Sequence, residues 1–157
     1  MAFEANFSKP FPAAAEGRKK VLIIVSHPNV GKSFNHTLVE AGKKALEEEG
    51  HAVIVDDLVK IGWNPVGSEK DFIPGKLKHT DNFDYQTEQG HAADVTGAFA
   101  PDLQEQLDLV DWCDIVIHQF PIYWWSVPAI HKGWFDRCLK TRPTLRPPGG
   151  PVRKKER

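Results

Sequence analysis

Cysteine, methionine and tyrosine are scarce in this chain: two Cys, one Met and two Tyr among 157 residues. Two thiols, Cys113 and Cys138, are too few for a disulfide framework and match no zinc-binding spacing, so the expectation is a reduced, cytoplasmic protein without a metal site. No apolar run approaches the ~20 residues that span a bilayer. The amino end lacks a secretory core, because Met1 to Lys20 scatters Phe3, Phe7, Phe11 and Pro12 among polar residues and alanines. Charge of one sign is lacking as well: 20 Lys and Arg face 21 Asp and Glu, a net of −1. Such a balance suits one globular domain, whose usual size is about 100–150 residues.

The balance is uneven along the chain. From Cys138 onward stand seven Lys or Arg and one acidic residue, net +6, which leaves −7 on the first 137 residues. This stretch carries four prolines, a Gly149-Gly150 pair and only Leu139, Leu145 and Val152 as aliphatics. It buries too little apolar surface to offset its ordering entropy and reads as a disordered basic tail over residues 141–157. Without interleaved aromatics it is not read as a nucleic-acid or membrane contact. Residues 1–18 read as a flexible extension, and 19–140 as the folded domain.

What the sequence does contain is organised as β-α-β-(long segment)-α-β-α. Val21-Leu22-Ile23-Ile24-Val25 is a continuous apolar run, the mark of a strand buried on both faces. A turn-rich loop, Ser26 to Lys32, leads to a helix with Ser33 as N-cap, Leu38, Val39, Ala41, Ala45 and Leu46 at helical spacing, and Gly50 at its end. Ala52-Val53-Ile54-Val55 is a second strand, and parallel pairing by a right-handed crossover follows. Asp56 to Gly97 is mostly irregular, and a connection that long usually serves or covers a site. Pro101 to Asp111 is a second amphipathic helix, Ile115 to Phe120 a third strand, and Pro128 to Leu139 a third helix with Pro128 in its first turn.

Two loops carry chemistry. Pro28-Asn29-Val30-Gly31-Lys32-Ser33 nearly matches the phosphate loop of nucleotide hydrolases. Against that reading, Ser26 stands in place of the first glycine, no later strand ends in a magnesium-holding Asp, and no Asn-Lys-x-Asp follows. The same strand-loop-helix receives any phosphate at the helix amino end, with Ser33 and Asn35 as donors and His27 beside them. The second loop, Phe120-Pro121-Ile122-Tyr123-Trp124-Trp125-Ser126-Val127-Pro128, is stiffened by its two prolines. It belongs to a stretch with three of the chain's five tryptophans between Trp124 and Trp134. Those rings are either core or a surface for a flat ligand. Pyrophosphate at one loop and a flat ring at the next suggest a flavin dinucleotide.

The run from Phe120 to Arg137 closely resembles the flavin loop and following helix of the NAD(P)H:quinone oxidoreductases of the DT-diaphorase type. Also similar, in the same order, are His27 through Ser33-Phe34-Asn35, Trp63-Asn64-Pro65, Lys70-Asp71, Gly75-Lys76-Leu77-Lys78 and Asn82-Phe83-Asp84-Tyr85. The resemblance implies an α/β, flavodoxin-like, doubly wound parallel sheet, here with its first three strands and their helices. It implies bound FAD, a homodimer, and ping-pong hydride transfer from NADH or NADPH through flavin N5 to a quinone. By position, His27, Ser33, Phe34 and Asn35 would hold the phosphates and ribose. Pro121, Ile122, Tyr123, Trp124 and Trp125 would line the isoalloxazine, and Trp124 and Trp125 would also wall the substrate site. Asp84 would reach the partner subunit's FAD.

Three departures accompany the resemblance. The phosphate loop is one residue longer, Asp84 replaces the usual glutamine, and Trp125 stands where phenylalanine is common. After Arg137 the family's Thr-Thr-Gly-Gly loop and its hydride-assisting Tyr and His have no counterpart, so no catalytic residue is assigned. The chain then reads as a C-terminally truncated member whose third strand forms a sheet edge. The alternative function is a non-catalytic flavin-binding or dimer-forming fragment.

Overall fold

The computed structural model describes residues 5–79 and 81–139; the basic tail expected to be disordered lies outside them. Three strands, β1 (Lys20–Val25), β2 (Ala52–Asp57) and β3 (Ile115–Gln119), form a parallel sheet in the order β2-β1-β3. Four helices accompany it: α1 (Phe34–Glu48), α2 (Tyr85–Ala92), α3 (Pro101–Trp112) and α4 (Ala129–Cys138). Strand order reverses between β1 and β3, and in doubly wound sheets that switch point is where ligands sit.

The central position of β1 explains its uninterrupted hydrophobicity. Val21, Ile23 and Val25 pack with Val39 and Val53 on the α1 side, whereas Leu22 and Ile24 enter the larger core with Leu103, Leu107, Leu109 and Trp134 on the other. Alternate side chains of a strand face opposite layers, so both faces must be apolar. Helix α1 begins at Ser33, whose side chain accepts a hydrogen bond from the His36 N–H. It ends in a Schellman motif: Gly50 N–H bonds the Glu47 carbonyl, His51 N–H bonds that of Leu46, and Gly50 takes φ 84°.

The long connection after β2 differs from expectation. It contains a 3₁₀ turn (Glu69–Asp71) and α2, which the apolar period does not announce because its buried residues are largely polar. Glu88 accepts from the Lys78 and His79 N–H groups, and Gln89 Nε2 donates to the carbonyls of Asp136 and Arg137. Within the stretch expected to be a flexible extension, residues 6–12 contact α3, and Ala15 bonds Gly50 after α1. Phe7 N–H and the Asn6 amide donate to Glu105, and Phe11 meets Trp112 edge-on. Pro128 precedes α4 as its N-cap, since its ψ of 148° is extended. β3 ends one residue early and sits at the sheet edge with Ile115 and Ile117 exposed. Among the described residues no helix is long and apolar enough to cross a membrane.

Helix α4 docks onto the connection through backbone. A methyl placed on Gly133 would lie 2.2 Å from the Pro65 carbonyl oxygen and 2.4 Å from its Cα. Gly133→Ala is therefore expected to destabilise the fold by about 3 kcal/mol, the upper range of overpacking, because helix and connection must separate. Urea denaturation measures it, and a loss well under 1 kcal/mol would contradict this packing.

Asp56, at the end of β2, is fully buried with neither carboxylate oxygen hydrogen-bonded. Burial pushes its pKa up to about 7, with the nearby Gln106 amide opposing and the Glu105 and Asp57 charges adding. Because the folded state holds the proton more tightly, the associated stability is complete below about pH 4 and is lost as pH rises to about 7. Asp56→Asn should remove that slope, leaving the variant more stable than wild type by up to about 4 kcal/mol at pH 8 and similar at pH 4. Thermal melts across that range decide the point; parallel pH profiles would refute it.

Candidate functional site at the carboxyl ends of β1 and β3

The β1–α1 and β3–α4 loops emerge side by side because β1 pairs directly with β3. Two hydrogen bonds lock them together. Ser26 N–H donates to the Gln119 carbonyl at 3.2 Å, and Gln119 Nε2 donates to Asn35 Oδ1 at 2.7 Å. The second bond turns the Asn35 oxygen toward Gln119, so the Asn35 amide hydrogens face away from it and remain available as donors.

On the first loop, His27 is half-buried; its Nδ1 accepts from the Asn29 N–H, and its ring meets that of His36 edge-on. Ser33 is buried as the α1 cap, while Phe34 projects into solvent. The first turn of α1 contains no acidic residue, so its free N–H groups and helix dipole present an unopposed positive end.

The second loop carries the strain. Tyr123 and Ser126 exchange backbone hydrogen bonds of 2.9 and 3.0 Å around Trp124 and Trp125, whose φ angles are 48° and 68°. Positive φ at both central residues is the pattern of a type I′ turn, normally built from Asn-Gly. Here two tryptophans adopt it, each 94% exposed. Their core reading is thereby ruled out: the backbone holds both rings outward. Ile122 and half-exposed Tyr123 continue the surface.

Asp84 belongs to neither loop. It caps α2, accepting from the Thr87 N–H at 2.7 Å, and hydrogen bonds from Thr87 hold its carboxyl below the ordinary value. Beneath the loops runs a buried polar chain that the sequence reading missed. Ser26 Oγ lies 2.9 Å from His131 Nδ1, and His131 Nε2 lies 2.9 Å from His118 Nδ1. Burial, with the neighbouring His118 charge, pushes His131 down to about 4, and burial lowers His118. Two histidines within apolar β3 and α4 were the available signal. Burial also raises both thiols, Cys113 to about 11, so neither serves as a thiolate at neutral pH.

Comparison with known proteins identifies the fold. A model of the flavodoxin-like fold matches residues 19–156. The chain belongs to that family. It is 39% identical over 121 residues to NAD(P)H dehydrogenase [quinone] 1 of Rattus norvegicus, covering 77% of this chain and 43% of that protein. It is 41% identical over 121 residues to the ribosyldihydronicotinamide dehydrogenase [quinone] of Homo sapiens, covering 77% and 51%. A provisionally assigned quinone reductase from Klebsiella pneumoniae superposes with a TM-score of 0.69 at 32% identity, covering 76% of this chain and 45% of that one. An NAD(P)H:quinone oxidoreductase from Methanothermobacter marburgensis gives 0.59 at 27%, covering 78% and 54%. The chain spans about half the length of the curated relatives it matches.

Left-handed backbone costs a non-glycine residue about 1–2 kcal/mol, and rings this exposed recover little of it by burial. The double variant Trp124→Asn, Trp125→Gly is expected to stabilise the fold by about 1–2 kcal/mol in urea denaturation. Unchanged or lower stability would mean that the turn is not strained.

Proposed function

We propose that this chain is the flavin-binding portion of an NAD(P)H:quinone oxidoreductase, taking FAD across the β1/β3 switch point and acting as a homodimer in the cytoplasm. One observation carries the reading: the amino end of α1 is fastened, through the Gln119–Asn35 hydrogen bond, to the end of β3 from which the outward-held aromatic turn follows. The relatives' printed activities supply the reaction class.

The residues present fit a dinucleotide. The amino end of α1, Ser33, the Asn35 amide and His27 would hold its phosphates, with Phe34 along the ribose. Pro121 through Trp125 would lie against the flat ring, and Asp84 would reach a partner subunit's cofactor. Bound FAD supplies acceptance of hydride from NADH or NADPH and two-electron delivery to a quinone. The chain's contribution is positional: the I′ turn fixes the backbone that carries Trp124 and Trp125 outward, where nicotinamide and quinone would stack in turn. Their wide apolar faces would keep water from the stacked rings.

Absorption of protein purified from a flavin-replete host tests this. Bands near ~370 and ~450 nm that bleach on NADH and recover with a quinone are expected of a working flavin site. Flavin bound at stoichiometry without turnover would mark a non-catalytic binding chain instead. Protein that stays colourless after incubation with excess FAD would overturn the flavin reading.

A further inference from the structure

Ser33, His36 and Asp57 form a continuous line at the amino end of α1, all three 7–8% exposed. Ser33 Oγ lies 2.7 Å from His36 Nδ1, and His36 Nε2 lies 2.9 Å from Asp57 Oδ2. The order resembles a hydrolase triad, but Ser33 is the helix cap and does not line the cavity of about 370 Å³ beside His36. The arrangement has a different consequence. On the reading that a dinucleotide's phosphates sit at this helix end, we propose that phosphate capture is linked to uptake of one proton by His36, which acts as a positioning residue for the Ser33 hydroxyl.

Hydrogen-bond bookkeeping carries the argument. Asp57 acts as an acceptor on both sides: Oδ1 receives the Val59 and Lys60 N–H groups, and Oδ2 faces His36. His36 Nε2 must then carry a hydrogen. In the neutral imidazole that leaves Nδ1 as a bare acceptor, which takes the single hydrogen of the Ser33 hydroxyl. Ser33 Oγ already accepts from the His36 N–H, so the free protein presents lone-pair density, not a donor, to an incoming phosphate oxygen. Adding a proton from solvent to Nδ1 reverses that bond. His36 then donates to Ser33, and the hydroxyl hydrogen is released toward the anion.

The surroundings favour the charged ring once phosphate is present. Asp57 on β2 and Glu40 on α1 are the acidic groups around the cavity, Lys60 after β2 is the opposing cation, and His27 packs across from the first loop. An added diphosphate brings further negative charge to the dipole-positive helix end. The cavity beside His36 gives water a route for the proton.

Calorimetric titration of the purified chain with FAD, in buffers of differing ionisation enthalpy from about pH 6 to 9, reads the linkage directly. Expected is net proton uptake on FAD binding by the wild-type chain, with affinity falling as pH rises. His36→Asn should bind FAD with no proton uptake and a flat profile, and Ser33→Ala should lose the linkage while keeping His36. Nitrogen-15 spectra of His36 should show the Nε2–H tautomer in the free protein and both ring nitrogens protonated in the complex. FAD binding without proton uptake overturns this inference and leaves the flavin reading intact. Absence of FAD binding at every pH overturns both.

Discussion

The buried ion pair between Arg137 and Asp71 is the constraint on which the rest of the molecule depends. Both side chains are almost completely buried and meet in a fork, Nε to Oδ2 at 2.9 Å and Nη2 to Oδ1 at 3.0 Å. Desolvating two charges is costly unless every remaining hydrogen-bonding position is used, and breaking such a pair typically costs about 3–5 kcal/mol. Here four of the five guanidinium hydrogens have partners, since Arg137 Nη1 donates to the Asn64 carbonyl and Nη2 also reaches Asp102; Tyr85 donates to Asp71, and Trp63 lies under the guanidinium at 4.1 Å. Arginine suits this place because its planar fork and weak hydration serve a carboxylate and an aromatic face at once. One side chain thereby fastens α4 to the long connection, α2 and α3.

That fastening propagates to the site. With α4 fixed at its carboxyl end by Arg137 and set against Pro65 at Gly133, the β3–α4 loop that holds the Trp124–Trp125 turn spans two fixed anchors. The Ser26–His131–His118 chain adds a cross-tie from β1 through α4 to β3 directly below that turn. Its histidines are held neutral by burial, so the tie is directional without carrying a charge that would need a counter-ion. Gln119 completes the frame by tying the strand end to α1.

Much of this was legible from residues because local chemistry there agrees with the global fold. The β1 run, the Ser33 cap, the Gly50 stop and the α3 stripe each follow from one-dimensional rules that tertiary packing then reinforces. Helix α2 was not legible, because it is held by Glu88 and Gln89 through polar bonds and an apolar period reports only apolar burial. The contacts of residues 5–18 escaped for a related reason: Phe7 and Phe11 find their partners about a hundred residues away on α3, and no local signal encodes such pairing. Asp84 has a local use that the resemblance did not supply, since its side chain caps α2. Trp63, Asn64 and Asp71 of the connection made sense only in three dimensions, where they converge on Arg137.

Where the sequence breaks local rules is itself evidence about function. Tryptophans occupy left-handed positions that favour asparagine and glycine, and two histidines replace aliphatics in a strand and helix that are otherwise apolar. A serine–histidine–aspartate line also ties up the hydroxyl of a helix cap. All of these lie at the carboxyl ends of the strands. The opposite end of the sheet, by contrast, is closed by an orthodox Schellman stop and plain backbone pairing between Ala15, Lys19, Gly50 and Ala52. Strain and buried polarity persist only where the surrounding structure over-determines them, and they collect where a ligand is to be met. The asymmetry between the two ends is the argument, drawn from this chain's own energetics, for the proposed site at the carboxyl ends of β1 and β3.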